Sequence, residues 1–379
     1  MEVPLMIEHT LNKQFLDLSK DQREIEPDLM AKENVVGVAL GHKWKDNKDT
    51  GDTAIHVLVR QKMAPEMLSK DDLVPKQIKG QKTDVIEVGE IVASPLAPDI
   101  ETLTQLDLQS NRAKNGNRAM REDLEEMEAE PAERIRYRRP RRMSGAALEV
   151  SPEQLHQRTR PVMGGFSVGH YAITAGTIAT CCYDLTPFPG IPQAFYILSN
   201  NHVLANSNSA NIGDPILQPG PYDGGQYPRD MIGRLSRFVP IRFMTSTSTP
   251  LNYVDAAIAE VPFHMASREV YWIGHIRELY TAPNVGDIVQ KTGRTTNFTT
   301  GTVQSVNATV DVSFGGGRTA RFAQQIITTN MSAGGDSGSL VTTLDEKAVG
   351  LLFAGSPYVT VLNNILYVQS LLNIRIHEQ

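Results

Sequence analysis

The sequence predicts an all-β fold, a barrel or a sandwich, preceded by a small domain of mixed α and β structure. From about Val162 onwards, short runs rich in β-branched and aromatic residues recur, among them 195–198 and 348–353, and Gly, Pro, Asn and Asp residues separate them. Nearer the N-terminus, two similar runs at 35–40 and 54–59 follow a charged, partly helical stretch. We therefore expect two regions that differ in architecture.

Differences in composition divide the chain into three segments. An acidic cluster at 122–128 precedes six arginines within 134–142, and this charged stretch separates the two strand-rich regions. A solvated spacer explains such a stretch, while a protease-sensitive site, a nuclear-import-like patch and a contact for an acidic partner are the alternatives. The expected segments are a small α+β N-terminal domain at 1–98, a charged linker at 99–160 and an all-β domain at 161–379.

The overall composition is that of a globular protein of 379 residues with a net charge of -6. The sequence lacks a run of about 18 apolar residues, so we expect no membrane span, and the modest charge gives no reason to expect a nucleic-acid partner. The N-terminal stretch, with Glu2 and Glu8, lacks the basic start and apolar core of a signal peptide. The two cysteines are the neighbours Cys181 and Cys182, and adjacent cysteines rarely bridge each other. We therefore expect no disulfide framework and a location in the reducing cytoplasm.

The glycine-rich turn GGDSGS at 334–339 carries the strongest local signal in the sequence. A serine hydroxyl is a weak nucleophile that needs a base and a site to stabilise the developing oxyanion. Glycines around Ser337 would let main-chain N–H groups turn towards one point. A plain glycine-rich turn is the alternative interpretation of this motif.

Two further polar residues interrupt apolar runs. His202 follows the run 195–198 across a polar turn, and Asp255 lies within the largely apolar stretch 252–259. Taken alone, the histidine would be interpreted as structural and the carboxylate as the cap of a turn. A buried carboxylate is costly unless it is paired, so Asp255 requires a hydrogen-bond donor nearby.

In the order His202, Asp255 and Ser337, these residues resemble the catalytic triad of chymotrypsin-like (trypsin-like) serine proteases. The resemblance covers about 161–379 and implies two antiparallel β-barrels, with no cofactor and no metal. It implies that Ser337 attacks the scissile carbonyl, that His202 acts as general base and that Asp255 orients the histidine. The N–H groups of Gly335 and Ser337 would form the oxyanion hole. On this resemblance we expect a serine endopeptidase that cleaves protein or peptide substrates through a covalent acyl-enzyme.

More narrowly, the chain resembles intracellular trypsin-like proteases of bacteria and plants that carry a small N-terminal domain. The stretches that fit this subgroup are less specific than the triad motifs, and they are 174–177, 198–204, 213–216 and 291–296. This resemblance implies an intracellular, regulatory enzyme, and it leaves open whether the chain forms a homo-oligomer.

Two departures from the family concern the support of the triad. In secreted relatives, cleavage releases an N-terminus that pairs with the aspartate before the serine. Here Pro161 would hinder cleavage after Arg160, so we expect Asp336 to have another partner or to belong to a preformed site. The serine that supports the triad aspartate in many relatives is also missing, because 353–355 reads Phe-Ala-Gly where Ser-x-Gly is common.

The resemblance also implies where the specificity pocket lies. Met331, six positions before the nucleophile, would lie at its base, and Phe353, Ala354 and Gly355 would form its wall. None of these residues is acidic, and a pocket for Lys or Arg needs a carboxylate to receive the cation. We therefore expect cleavage after uncharged, mainly apolar side chains.

Other functions fit the sequence less well. An α/β-hydrolase has the order Ser, acid, His, whereas the single histidine after Ser337 is His377, close to the end of the sequence. No H-E-x-x-H motif of a metalloprotease is present. A catalytically silent binding module with a protease fold is the alternative to an active enzyme.

Overall fold

The computed structural model describes residues 7–45, 48–93, 152–185, 192 and 194–377, and all of them belong to one compact unit. The acidic and arginine-rich runs of the predicted linker lie outside the described residues. The helices are α1 (Ile7–Thr10), α2 (Lys13–Leu16), α3 (Leu18–Met30), α4 (Asn201–Leu204) and α5 (Ile365–Leu372). Short 3-10 turns occur at Pro65–Met67, Pro152–His156, Pro221–Asp223 and Phe263–Met265.

The strands account for most of the described regular structure. They are β1 (Val35–Lys45), β2 (Lys48–Val59), β3 (Gln77–Ile78), β4 (Gln81–Glu87), β5 (Val162–Gly164), β6 (Ser167–His170), β7 (Gly176–Thr177), β8 (Cys181–Asp184), β9 (Phe195–Ser199), β10 (Pro215–Leu217), β11 (Met231–Phe238), β12 (Leu251–Asn252), β13 (Ala257–Val261), β14 (Ala266–Val270), β15 (Gly274–His275), β16 (Glu278–Leu279), β17 (Ile288–Gly293), β18 (Asn297–Ser313), β19 (Thr319–Thr329), β20 (Leu340–Thr343), β21 (Lys347–Gly355), β22 (Val359–Asn364) and β23 (Ile374–Arg375).

The first barrel is an antiparallel sheet that closes on itself. Its strands follow the order β8-β9-β13-β11-β10-β6-β7. The two end strands, β7 and β8, belong to one stretch of chain, 176–184, whose first part pairs with β6 and whose last part pairs with β9. The sheet therefore has no free edge along this path, which removes the exposed edge that an open sheet would present.

The second barrel closes through the order β17-β18-β19-β22-β21-β20, because β20 also pairs with β17. The long strand β18 pairs with β17 through its first part and with β19 through its last part. From Gly301 to Ser305, β18 alternates between buried and half-buried residues, as the period of two requires, whereas every residue of β22 is buried. The predicted pair of antiparallel barrels is confirmed.

The N-terminal segment has the predicted mixture of helices and strands, but it continues the sheet of the second barrel. β1 pairs with β18, with Gly37 opposite Val310, and β2, β4 and β3 extend the sheet beyond β1. One apolar cluster contains Phe15 and Leu29 from the helices together with Val303 from the barrel. Burying each large apolar side chain contributes about 1.5–3 kcal/mol. The N-terminal strands and the second barrel therefore share a core.

The ends of two elements position the residues of interest. In the largely apolar stretch around Asp255, strand β13 begins only at Ala257, and the main-chain N–H of Asp255 donates to the side chain of Asn363 instead of a neighbouring strand. His202 lies on α4, directly after β9, and Ser337 lies in the loop between β19 and β20. Within the described ranges, no helix is both long enough and apolar enough to cross a membrane.

Candidate active site

Helix α4, a single turn, holds His202 at the end of β9. The polar residues of the preceding turn fix this helix: Asn200 donates a side-chain hydrogen bond to the carbonyl of Asp255 at 2.8 Å, and Asn201 donates one to the carbonyl of Val239 at 2.8 Å. The carbonyl of Asn200 accepts the N–H of Leu204. Side chains thus supply the hydrogen bonds that so short a helix cannot make within itself.

Asp255 and His202 form a buried pair. The Oδ2 atom of Asp255 lies 2.6 Å from Nδ1 of His202, and its Oδ1 accepts the main-chain N–H of His202 at 3.1 Å. Asp255 is fully buried and His202 is 7% exposed. The main-chain N–H of Asp255 donates to Oδ1 of Asn363 at 2.9 Å. The carboxylate therefore has the donors that its burial requires, and His202 provides them with both its ring and its main chain.

The other ring nitrogen of His202, Nε2, is not used by this pair. A carboxylate at Nδ1 favours the tautomer with its proton on Nδ1, which leaves Nε2 as an unprotonated base. Nε2 is buried and lacks a hydrogen-bond partner in the described part of the chain. The unpaired Nε2 can therefore accept a hydrogen bond from a group brought beside it.

The loop that carries Ser337 is fixed on both sides. On one side the carbonyl of Ser337 accepts the N–H of Thr177 at 2.7 Å, and on the other the N–H of Gly338 donates to the carbonyl of Leu352 at 2.8 Å. A Cβ atom on Gly176 would lie 2.5 Å from Val203, the neighbour of His202, and 2.9 Å from the carbonyl oxygen of Ser337. The loop and α4 therefore meet across β7. No hydrogen bond joins Ser337 to His202 in the part of the chain that the structure describes.

The main chain around Ser337 presents N–H groups that are not paired within the described residues. Among the described residues, the N–H groups of Gly335 and Ser337 donate to no acceptor. Gly335 has φ +97, and a Cβ atom there would meet the hydroxyl of Thr295 and lie 2.6 Å from Nη1 of Arg294. Only glycine fits this close approach and this left-handed conformation. The carbonyl of Gly335 is held by the hydroxyl of Thr177 at 2.9 Å.

Asp336 has an internal cationic partner. Its Oδ2 lies 3.3 Å from Nζ of Lys291, and both side chains are fully buried. Three further residues donate to its carboxylate: the main-chain N–H groups of Thr295, Thr296 and Ala333, together with the hydroxyl of Thr296. Burial lowers the pKa of the Lys291 ammonium, and the Asp336 carboxylate opposes that shift. The partner that the sequence analysis left open for Asp336 is therefore Lys291.

The side chain of Arg294 packs against the glycine-rich loop at Gly335. Arg294 is 6% exposed, and its guanidinium pairs with Asp223, whose side chain is 3% exposed, and lies 5.4 Å from the ring centre of Tyr222. The main-chain carbonyl of Arg294 accepts a hydrogen bond from Nε2 of His156 at 2.7 Å. Lys291 and Arg294 both belong to the stretch 291–296, which the sequence analysis singled out without assigning roles to these two residues. Their pairing with distant carboxylates is visible only in the structure.

The expected specificity residues are mostly buried in the core. Met331 is 4% exposed, and its sulfur packs against β18 at Gly301. The ring of Phe353 packs 4.7 Å from that of Phe322, and Ala354 is buried in the same cluster. The side chains of Met331 and Phe353 therefore face the core, while Gly355 is half-buried.

A polar residue that the sequence analysis missed lies beside Gly355. Ser332 is half-buried, and its hydroxyl is 2.7 Å from that of Thr360. A Cβ atom on Gly355 would lie 3.5 Å from the Ser332 hydroxyl. This pair of hydroxyl groups gives the vicinity of Gly355 a polar component. Among the described residues, no group of three or more His, Cys, Asp or Glu side chains is arranged to hold a metal ion.

No family model and no curated protein matches the sequence. Among solved structures, the chain is similar to Thermobifida fusca protease A, with 16% identity and a TM-score of 0.40 over 57% of this chain and 99% of that one. It is similar to a Nocardiopsis protease, with 17% identity and a TM-score of 0.38 over 57% of this chain and 99% of that one. It is also similar to Cellulomonas bogoriensis chymotrypsin, with 15% identity and a TM-score of 0.37 over 56% and 97%.

Proposed function

We propose that the protein is a serine endopeptidase in which Ser337 is the nucleophile, His202 the general base and Asp255 the residue that orients the histidine. One observation carries the proposal: the buried pair of His202 and Asp255 leaves Nε2 of the histidine unpaired. The glycine-rich loop with Ser337 is hydrogen-bonded to β7 at Thr177, and helix α4 with His202 packs against the same strand at Gly176. These are the parts that activation of a serine hydroxyl requires.

The proposed reaction proceeds through a covalent acyl-enzyme. Nε2 of His202 takes the proton of the Ser337 hydroxyl as its oxygen attacks the scissile carbonyl, and Asp255 stabilises the imidazolium that forms. The same proton then passes to the leaving amine, and a water molecule repeats the sequence to release the acid. The Ser337–His202 hydrogen bond is expected to form in the substrate complex, since catalytic hydrogen bonds often tighten only there.

The free N–H groups of Gly335 and Ser337 are proposed as the oxyanion hole. They are main-chain donors on a loop whose carbonyls are already held by Thr177 and Thr295. Donors that are fixed before the reaction need no reorganisation when charge develops, which is why they stabilise the transition state. The Lys291–Asp336 pair supports a loop that is formed without a newly released N-terminus.

The proposal is tested by profiling cleavage of an unbiased peptide library with the unmodified protein and with Ser337→Ala. We expect cleavage by the unmodified protein and a loss on the order of 10⁴–10⁶ in rate for Ser337→Ala and for His202→Ala. Ser209→Ala, at an exposed position outside the loop of Ser337, is the matched control, because it also replaces a serine but leaves the proposed nucleophile in place. Cleavage that persists in Ser337→Ala would contradict the assignment.

A catalytically silent binding module is the second candidate. The observation that favours it is the missing hydrogen bond between His202 Nε2 and Ser337 in the described residues. A module of this kind would bind peptides from the same library without cleaving them. Retention of intact peptides by the unmodified protein, with no cleavage products, would support this second function.

Two finer proposals concern specificity and location. We propose cleavage after uncharged, mainly apolar residues, since neither Gly355 nor the neighbouring Ser332, which are half-buried beside the proposed pocket, carries a charge. We also propose that the enzyme acts in the cytoplasm. Both cysteines are free and buried, and burial raises the pKa of Cys181 to about 11, which keeps that thiol protonated. The cleavage sites in the library decide the first proposal, and fractionation of the cells that make the protein decides the second.

A further inference from the structure

Strand β21 has one edge that changes partners along its length. Strand β22 covers its other edge as far as Gly355, which lies opposite Thr360. Along the edge of β21 that faces away from β22, β20 pairs with β21 up to Leu351. The loop of the proposed nucleophile then pairs with Leu352 through Gly338 and Ser339. The edge beyond Leu352 is thus the part of β21 that lies next to the proposed active site.

The chain's own residue Val92 occupies that edge. The N–H of Val92 donates to the carbonyl of Gly355 at 2.9 Å, and the N–H of Gly355 donates to the carbonyl of Val92 at 3.0 Å. The two residues form an antiparallel bridge. On the opposite side of the segment, the N–H of Ser313 donates to the carbonyl of Ile91, and the N–H of Ala93 donates to the carbonyl of Ser313. Ile91 and Ala93 are each 1% exposed, so the segment is fixed by its side chains as well as by its main chain.

An extended peptide that bound to this edge of β21 in the antiparallel sense would lie where this segment lies and run in the same direction. An extended peptide is held most generally by main-chain hydrogen bonds to a strand edge. The antiparallel bridge means that the chain from Ile91 to Ala93 runs towards Leu352 and the loop of Ser337. From Gly355 to Leu352 is three residues, about 10 Å of extended chain. A peptide that reached Ser337 along this edge would need the hydrogen bonds of Gly355 that Val92 already makes.

We propose that the segment 91–93 is an internal competitor for the main-chain docking edge of the substrate, so that the folded chain restrains its own binding of extended peptides. This inference rests on the proposed function for the location of the active site. The inference adds a regulatory contact to the proposed function, because an extended substrate has to displace Val92 from Gly355. A small ester that reaches only Ser337 does not have to displace Val92.

Replacing Val92 with proline tests the proposal, because proline lacks the N–H that donates to Gly355. Val92→Ala is the matched control, since it shortens the side chain and keeps both main-chain hydrogen bonds. Both changes are made in Ser337→Ala, so that binding is measured without catalysis. The probe is fluorescein-labelled Ala-Ala-Ala-Leu, and its Kd is measured by fluorescence polarisation. We expect Val92→Pro to bind it about tenfold more tightly than Val92→Ala, as loss of one or two main-chain hydrogen bonds implies.

Equal Kd values for the two folded variants would overturn the proposal. Thermal unfolding checks that both variants fold. A second measurement needs no substitution at position 92: hydrogen–deuterium exchange of Ser337→Ala with and without the saturating peptide. We expect faster exchange of the Val92 and Ala93 amides when the peptide is bound, and unchanged or slower exchange would overturn the proposal. Failure of Ser337 to cleave any peptide would instead contradict the proposed function, and the binding results would still decide the role of Val92.

Discussion

Replacing Lys291 with methionine should weaken both the fold and the active-site loop, because it leaves the buried carboxylate of Asp336 without its cation. Removing one partner of a buried ion pair typically costs 3–5 kcal/mol. Asp336 keeps its hydrogen bonds from Thr295, Thr296 and Ala333, so we expect a loss near the lower end of that range, about 3 kcal/mol. Urea unfolding measures this loss.

The same substitution should lower kcat. A repositioned Asp336 moves its neighbours Gly335 and Ser337, and loss of a single oxyanion donor costs on the order of 10²–10³ in kcat. We expect a fall of about 100-fold in kcat for hydrolysis of a peptide ester, with a smaller change in KM. The double variant Lys291→Met with Asp336→Asn should recover part of the stability, because both charges are then absent. Lys20→Met, at an exposed surface pair, is the control and should behave like the unmodified protein. An unchanged kcat and an unchanged free energy of unfolding for Lys291→Met would refute the reasoning.

Three further predictions concern separate parts of the molecule. Gly335→Ala should lower kcat by about 10–100-fold, because a Cβ atom there meets side chains beneath the loop and the main chain has φ +97; ester hydrolysis at saturating substrate measures it. Burial lowers the pKa of His56, so the unfolded chain takes up a proton on this residue more readily than the folded chain does. The free energy of unfolding should therefore fall as pH drops below about 6.5, the usual pKa of a histidine. The fall in Tm between pH 7.5 and pH 5 should therefore be smaller in His56→Gln than in the unmodified protein or in the exposed control His264→Gln, and parallel curves would contradict this. Limited trypsin digestion should cut first within 134–142, as its arginines predict; first cuts elsewhere would count against the linker assignment.

The sequence predicts the candidate triad because each member lies in a short local pattern. His202 follows a strand-like run, Asp255 interrupts an apolar stretch, and Ser337 lies in a glycine-rich turn. The order of the three residues along the chain then points to one arrangement in space. The runs at 35–40 and 54–59 lie within strands β1 and β2, and the sequence predicts them because alternation and β-branched residues are local properties.

The pairing of distant residues could not be predicted in the same way. Nothing local marks Lys291 as the partner of Asp336, because a lysine in a polar stretch is usually exposed. The bridge between Val92 and Gly355 is made by main-chain atoms, to which side-chain identity gives no guide. The offset that selected Met331 gives a position in the chain but not the direction of its side chain, and that side chain packs in the core.

The strands of the N-terminal segment illustrate the same limit for the fold. Their existence follows from the sequence, but their attachment to β18 depends on which sheet edge is free, and that is a property of the complete barrel. The resemblance suggested a small N-terminal domain before the barrels. In the structure, Phe15 and Val303, one from each region, belong to the same apolar cluster.

The central claim is that His202 activates Ser337 as a nucleophile. Its most direct test is intact-mass and peptide mass spectrometry after treatment with a fluorophosphonate, which forms a stable adduct with an activated serine. We predict one adduct per chain, located on Ser337, formed at least about 1,000-fold more slowly in His202→Ala and absent from Ser337→Ala. Labelling of a different residue, or labelling of Ser337 at the same rate in His202→Ala, would contradict the account.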